Sequence, residues 1–323
     1  MISYALDKIR VAVIGAGVFG RHHLRVLSQS LHATVAGVVD TDPERAAQAA
    51  AEHNCLTYAT LEELKGAADA AIVAVPTSLH AEVGCELLEA GIDVLVEKPI
   101  ASDLAEARRL VETAERNGRI LQVGHLERFN PAVAALKKMV TVPLFFEIHR
   151  LSLFSPRSLD VDVVLDLMIH DLDIVLDLAD ALPEEIRAAG ISILSNKVDI
   201  ANVRLAFPGG CIANLTASRV STERVRKLRL FQPHQYISLD YQKQEAVAFT
   251  VSDNQQIGFQ PLAAVKEEPL RLEVEAFLAS VASRKQPAVS GAEGLRALEV
   301  AHAILDKIEE HTKLVTERLQ SLA

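Results

Sequence analysis

The run Gly15-Ala16-Gly17-Val18-Phe19-Gly20 directly follows the short apolar segment Ile9 to Ile14 and limits the fold of this chain more than any other feature. Gly15 permits a tight turn, Gly17 lets the backbone approach a pyrophosphate, and Gly20 allows close packing of a following helix on the strand. A helix starting there offers unpaired N–H groups and partial positive charge to phosphates, with Ala16, Val18 and Phe19 completing the loop. Asp40 ends a second apolar run, Val35 to Val39, 25 residues after Gly15 (40 − 15). An acid at that place accepts ribose hydroxyls and repels the extra phosphate of NADP, so NAD is the expected cofactor.

The same rhythm continues to residue 124. Apolar runs recur at Ala70 to Val75, Ile92 to Val96 and Ile120 to Val123. Helical patterns lie between them: one opened by Asp42-Pro43, one from about Leu79 to Ala90, one from about Leu104 to Asn117. Gly91 and Gly118 follow the last two, where a residue tolerating positive φ ends a helix. Continuous apolar strands alternating with helices predict a Rossmann-type parallel sheet covered on both faces, over residues 1–124.

Residues 125–323 read differently. Asn130-Pro131 has the form of a helix N-cap followed by proline, opening a short helix to about Met139. Phe145 to Leu151 reads as a strand and Val161 to Leu178 as one long apolar helix. Runs at Ile186 to Leu194, Val198 to Phe207, Cys211 to Ser218, Val225 to Phe231 and Gln235 to Asp240 predict an open, mostly antiparallel sheet, with Pro208-Gly209-Gly210 as a hairpin turn. Helices near Leu270 to Ala282 and Ala292 to Glu310 follow. The expectation is an α+β domain for substrate binding and oligomerisation; its apolar, lightly covered sheet invites a homo-oligomer, a dimer or tetramer.

A net charge of −10 argues against a broad nucleic-acid surface. No apolar run has the length of a membrane span, and residues 1–10 lack the pattern of a signal peptide. Three separated cysteines, Cys55, Cys85 and Cys211, suit a reducing compartment rather than a disulfide framework. The expected location is the cytoplasm.

Two sets of polar residues carry candidate chemistry. Lys98, in Glu97-Lys98-Pro99, follows the run ending at Val96, at the sheet edge where such folds bind ligands. Pro99 biases Lys98 toward extended backbone, and Glu97 favours the charged lysine. In the long helix, Asp162, Asp166 and His170 are spaced four apart among apolar residues and fall along one helical face. A metal pair, a satisfied buried pair and a catalytic pair all fit that spacing. A strong third ligand is missing, so no metal is expected. His22 and His23 read as surface or packing histidines.

Gly15-Ala-Gly17-Val-Phe-Gly20, Val75-Pro76-Thr77-Ser78-Leu79-His80 and Glu97-Lys98-Pro99 together resemble the glucose-fructose oxidoreductase / inositol dehydrogenase / MocA oxidoreductase family, over essentially the whole chain. The resemblance implies an NAD(P)-dependent dehydrogenase with Lys98 facing the reacting carbon. Pro76, Thr77, His80, Glu97 and Lys98 would join the glycine loop and Asp40 around the cofactor. Asp166 and His170 match the family's catalytic aspartate and histidine positions.

Many relatives approach that helix through glycines; here the stretch is Leu159-Asp-Val-Asp-Val-Val-Leu-Asp166-Leu-Met-Ile-His170-Asp-Leu-Asp173. With Gly124-His125-Leu-Glu127-Arg128-Phe-Asn130-Pro131, it is similar to the branch that oxidises nucleotide-linked N-acetyl sugars. That branch implies oxidation of the 3-hydroxyl of UDP-N-acetylglucosamine to a keto sugar. The product would feed an aminotransferase of lipid A diamino-sugar synthesis, with no stable complex required. Arg128 and Arg157 suit a diphosphate, since arginine presents a planar fork of donors. Glu127 and Asn130 could hold polar groups of the sugar or cofactor, and His125 could line the nicotinamide side. The rivals are oxidation of another nucleotide sugar, a free sugar or inositol, and an NAD-binding regulatory or scaffold protein.

Overall fold

The computed structural model of the chain describes residues 8–154, 161–252 and 254–321. The chain forms two compact units. One comprises residues up to Leu126 with Glu268–Leu295; the other comprises Glu127–Glu267 with the residues from Arg296 onward.

In the first unit, strands and helices alternate as β1 (Ile9–Ile14), α1 (Val18–Gln29), β2 (Ala33–Val39), α2 (Pro43–His53), β3 (Leu56–Tyr58), β4 (Ala70–Val73), α3 (His80–Glu89), β5 (Asp93–Glu97), α4 (Leu104–Arg116) and β6 (Leu121–Gly124). The sheet order is β3-β2-β1-β4-β5-β6, every neighbouring pair parallel. The order reverses between β1 and β4, and such a switch point leaves a crevice beyond the carboxyl ends of the strands. Every residue of β4 is buried, as an apolar strand covered on both faces must be. The helices start where the sequence supplies caps. Asp42 accepts the N–H groups of Glu44 and Arg45 ahead of α2, and Asp103 accepts that of Glu106 ahead of α4.

The second unit opens with α5 (Pro131–Lys137), capped by Asn130. It continues through β7 (Phe145–Leu153), α6 (Ile169–Ala179), β8 (Glu185–Ile191), β9 (Ile200–Ala206), β10 (Ile212–Ser221), β11 (Val225–Gln232), β12 (Gln235–Asp240), β13 (Glu245–Val251) and β14 (Ile257–Leu262). Its sheet runs β14-β13-β12-β11-β7-β10-β9-β8 and is antiparallel except for the β7–β10 pair. Phe146, Ile148 and Arg150 of β7 are buried on one face. The alternate positions carry a row of aromatics across the other face. Phe145, Phe231, Tyr236, Phe249 and Phe259 sit with successive ring centroids 5.7, 4.8, 5.5 and 5.4 Å apart.

The chain then makes α7 (Pro269–Ser283) and α8 (Gly291–Gln320). The first boundary falls after Leu126, near the expected residue 124, but the C-terminal helices do not all stay in the second unit. Val274, Phe277, Leu278 and Val281 of α7 join the core formed by Leu24, Leu27, Val11 and Ile72, so this helix belongs to the first unit. The apolar face that sequence assigned to the second domain finds its partner in the first. Helix α8 begins in the first unit and from Arg296 belongs to the second.

The long helix expected over Val161 to Leu178 is also corrected. Val164–Met168 forms a π turn, and regular α-helix starts only at Ile169. An apolar pattern does not distinguish a π turn from α-helix over so few residues, because both keep one side buried. β3, β13 and β14 were not anticipated. β3 has three residues, and β14 is mostly exposed, so neither carries a strong apolar signal.

Among the described residues, no helix is long and apolar enough to cross a membrane. The three cysteines are free thiols.

Candidate active site

The glycine turn sits at the switch point of the first sheet. Gly15 has φ +93°, and a side chain there would strike the Ala74 carbonyl at 2.6 Å. A Cβ on Gly20 would lie 1.8 Å from the Gly15 oxygen, so helix and turn meet at backbone contact. Gly17 differs, because a Cβ there would meet nothing within 4 Å. That open space lies at the N-cap of α1, which has no side-chain cap and no acid in its first turn. Uncapped N–H groups facing open space fit a pyrophosphate. Val18 and Phe19 are exposed beside it, while Ala16 is buried.

Asp40, at the end of β2, accepts the Ala16 N–H at 2.6 Å and the Asp42 N–H at 2.8 Å. Arg45 binds it through Nε at 3.0 Å and Nη2 at 2.7 Å. Burial alone would raise its pKa, but the guanidinium and the two N–H groups outweigh burial and hold the carboxyl below its ordinary value. An ionised acid beside the glycine loop suits a ribose diol. The residues present fit NAD.

Lys98 follows β5 at the same carboxyl edge of the sheet and is half-buried. Glu97, one residue before it, faces inward. His23 Nε2 lies 2.6 Å from Glu97 Oε1, and His23 is fully buried. His23 is thus a packing histidine, as expected, and also a polar partner that sequence did not indicate. Burial would raise the Glu97 carboxyl; the His23 hydrogen bond and the charges of His23, Lys98 and His80 bring it below its ordinary value. Pro76 is exposed and Thr77 half-buried in the turn after β4. His80 places Nδ1 2.9 Å from the Pro99 carbonyl and Nε2 3.0 Å from the Val75 carbonyl. It is 1% exposed, and burial lowers its pKa despite the two carbonyls. His80 therefore ties the turn after β4 to the segment after Lys98, and both its ring nitrogens face backbone rather than a ligand.

His125 follows β6 and is buried. The remaining expected residues lie in the second unit. Asp166 is in the π turn and His170 in the first turn of α6, both half-buried. Asp162 is separated from them in role: its Oδ1 accepts the Val198 N–H at 2.8 Å, which anchors the segment leading into β9. Arg157 lies outside the described residues.

Glu127, Arg128 and Asn130 are engaged within the unit itself. Arg128 pairs with Asp173 at 2.8 Å and with Asp177 at 2.8 Å, so its charge is already matched by two carboxylates rather than left for a diphosphate. Asn130 caps α5 through the Ala132 N–H at 3.1 Å, and its Nδ2 donates to the Tyr241 carbonyl at 3.0 Å. Glu127 Oε1 accepts from Arg150 at 3.0 Å. Arg150 also binds Asp171 through Nε at 2.7 Å and Nη2 at 2.8 Å, with its guanidinium 5.1 Å from the Tyr241 ring centroid. Burial would lower the Arg150 pKa, but the charges of Asp171 and Glu127 hold it well above its ordinary value. Sequence reasoning passed over Arg150. The signal was present: the two-residue period of Phe146 and Ile148 carries it to the buried face.

The comparisons with known proteins agree with this fold. Residues 9–125 match the profile described as oxidoreductase family, NAD-binding Rossmann fold, and residues 150–233 match the GFO/IDH/MocA C-terminal domain. The chain is 34% identical over 307 residues to UDP-N-acetylglucosamine 3-dehydrogenase of Acidithiobacillus ferrooxidans, covering 93% of this chain and 97% of that protein. A solved structure of that enzyme superposes with a TM-score of 0.90 at 34% identity, covering 95% of this chain and 99% of that one. Inositol 2-dehydrogenase of Rhizobium meliloti is 24% identical over 330 residues, covering 95% of this chain and 98% of that protein. With both domains matched in order and the relationship extending over nearly the full length, the chain belongs to the GFO/IDH/MocA family of NAD-dependent oxidoreductases.

Proposed function

We propose that this protein oxidises the 3-hydroxyl of UDP-N-acetylglucosamine to a ketone with NAD, producing the keto sugar that an aminotransferase of lipid A diamino-sugar synthesis consumes. The observation that carries the substrate is the 34% identity, sustained over 97% of its length, with an enzyme named for that reaction. Loss of the catalytic constellation would have favoured a cofactor-binding regulator instead. Lys98, Asp166 and His170 are all present in the chain, and sensing requires none of them.

The glycine loop from Gly15 to Gly20 and Asp40 are the residues that would hold NAD, and when bound it supplies the hydride acceptor. The chain's own groups must then manage the hydroxyl proton. Lys98 contributes an ammonium at the sheet edge, which stabilises alkoxide charge or, when deprotonated, takes the proton itself. His170 contributes an imidazole suited to proton exchange near neutral pH. Asp166 lies one turn before it and orients either the imidazole or a sugar hydroxyl. A π turn at this position widens the helix where these side chains emerge, a feature frequent at functional sites. Glu127, Asn130 and Arg128 act as scaffold for the second unit in this reading.

We further infer a homo-oligomer, dimer or tetramer, in the cytoplasm. The aromatic row on the outer face of the eight-stranded sheet supports association, and free thiols suit a reducing compartment. The test of function is mass spectrometry of purified protein with NAD and UDP-N-acetylglucosamine in the presence of a carbonyl-trapping reagent. The expected product, before trapping, is two hydrogens lighter than the substrate and accompanied by NADH. Turnover of inositol or a free sugar with none of the nucleotide sugar would overturn the substrate assignment.

A further inference from the structure

Glu273 of α7 is 1% exposed, His23 of α1 is fully buried, and Glu97 is the last residue of β5. Ligand-type atoms of the three side chains all lie within 4.8 Å of one another. We propose that His23, Glu97 and Glu273 form one proton-sharing group in which Glu273 is the protonated, neutral member, so that Glu97 is kept as the anion next to Lys98. Lys98 then works beside a Glu97 anion, and its chemistry depends on Glu97 rather than on Glu273 directly. This consequence for turnover rests on the catalytic reading of Lys98; the protonation of Glu273 does not.

Two carboxylates this close, one fully buried and the other 15% exposed at its side chain, do not both ionise, because each charge is desolvated and repelled by the other. Their surroundings decide which holds the proton. Glu97 has the His23 Nε2 contact at 2.6 Å, the Lys98 ammonium in the next residue and His80 on α3 as its favourable neighbours. Glu273 Oε1 has no hydrogen-bond partner among the described residues, so nothing there supports a charge on it. Gln122 of β6 donates its Nε2 to the Glu273 backbone carbonyl at 3.2 Å, leaving the carboxyl itself unsupported. The Oε1 of that same amide is buried without a donor. Burial and the Glu97 charge push the Glu273 carboxyl well above its ordinary value, in agreement with the geometry.

The same three residues could be taken for a metal site. Two ligand atoms on one zinc, each about 2.0–2.2 Å from it, stand roughly 3.3–3.5 Å apart in tetrahedral geometry. The His23–Glu97 contact is much shorter and is a hydrogen bond.

The experiment is infrared spectroscopy of the purified protein at pH 7 in H2O and D2O, with E273Q and E97Q variants. The wild type is expected to show a protonated-carboxyl C=O band that shifts in D2O and is missing from E273Q. Absence of that band from the wild type, or its persistence in E273Q, would overturn the proposal. So would a stoichiometric divalent metal retained through purification. Kinetics then read the charge state of the two carboxyls. E273Q, which preserves a neutral side chain of similar shape, is expected to leave the limbs of the kcat/KM pH profile in place. E97Q, which removes the anion beside Lys98, is expected to move one limb of that profile toward lower pH by about one unit, a tenfold change at fixed pH on that limb. A shift in E273Q as large as that in E97Q would mean that Glu273 is charged in the wild type. If no substrate is turned over, the functional reading of Lys98 fails while the infrared result still decides the protonation.

Discussion

The Asp40 carboxylate accepts the Ala16 N–H at 2.6 Å, so the acid that closes β2 also braces the glycine turn. Arg45 holds the same carboxylate from the other side. Asp40→Ala removes the ribose acceptor and the brace together and leaves Arg45 without its partner. The expected result is a fall in kcat/KM for NAD of about ten- to a hundredfold, corresponding to about 1.4–2.7 kcal/mol. The released guanidinium suits a 2′-phosphate, so the preference for NAD over NADP should shrink or reverse. Initial-rate kinetics with both cofactors check this, and an unchanged preference would contradict it.

Lys98 stands where β5 ends, half-buried and next to the anion of Glu97. Lys98→Met keeps the length and apolar stem of the side chain and removes its charge and its proton. Turnover should fall by about 10²–10⁴-fold, the usual range for loss of a proton-transfer group. NAD affinity, measured by calorimetric titration, should stay within about threefold. Loss of binding with turnover per bound cofactor unchanged would assign Lys98 to cofactor binding alone.

Arg150 is 1% exposed and pairs with both Asp171 and Glu127. Arg150→Met takes from Asp171 its hydrogen-bonded cation and leaves Glu127 only Arg226, 3.9 Å away, and should destabilise the protein by about 3–5 kcal/mol. Urea unfolding monitored by circular dichroism measures it. A change below about 1 kcal/mol would show that the cluster is hydrated rather than closed.

The first unit was legible because its signals are local. An apolar strand, three glycines and an acid at the end of the next strand specify the turn, and Gly20 has no alternative with its neighbour's oxygen 1.8 Å from where a Cβ would sit. Asn130 was legible as a cap for the same reason. Ion pairing was not legible, since the partners are far apart in sequence. Arg128 reads as a free cation until Asp173 and Asp177 are folded against it, 45 and 49 residues later. Glu273 is one acid within a helical stretch of the sequence until α7 packs into the first unit beside Glu97. The π turn was hidden because helix-like spacing persists through it.

Glu273 also makes stability depend on pH with a definite sign. Its carboxyl is raised in the folded protein by burial and by Glu97, so the folded state holds a proton that the unfolded chain releases near pH 4.5. Its contribution is fully present below that pH and is lost as pH rises toward the folded value. Glu273→Gln removes this dependence. The Tm of the variant relative to wild type should therefore increase steadily from about pH 4.5 upward. A difference that stays constant between pH 4 and 9 would contradict the assignment.

The most direct measurement uses UDP-N-acetylglucosamine carrying deuterium at sugar C3, incubated with the protein and NAD. The account predicts that the deuterium appears in the reduced nicotinamide and that the sugar product, trapped as its carbonyl adduct, has lost it. Reduced cofactor without the label, or label retained in the sugar with no reduction of NAD, would contradict the central claim.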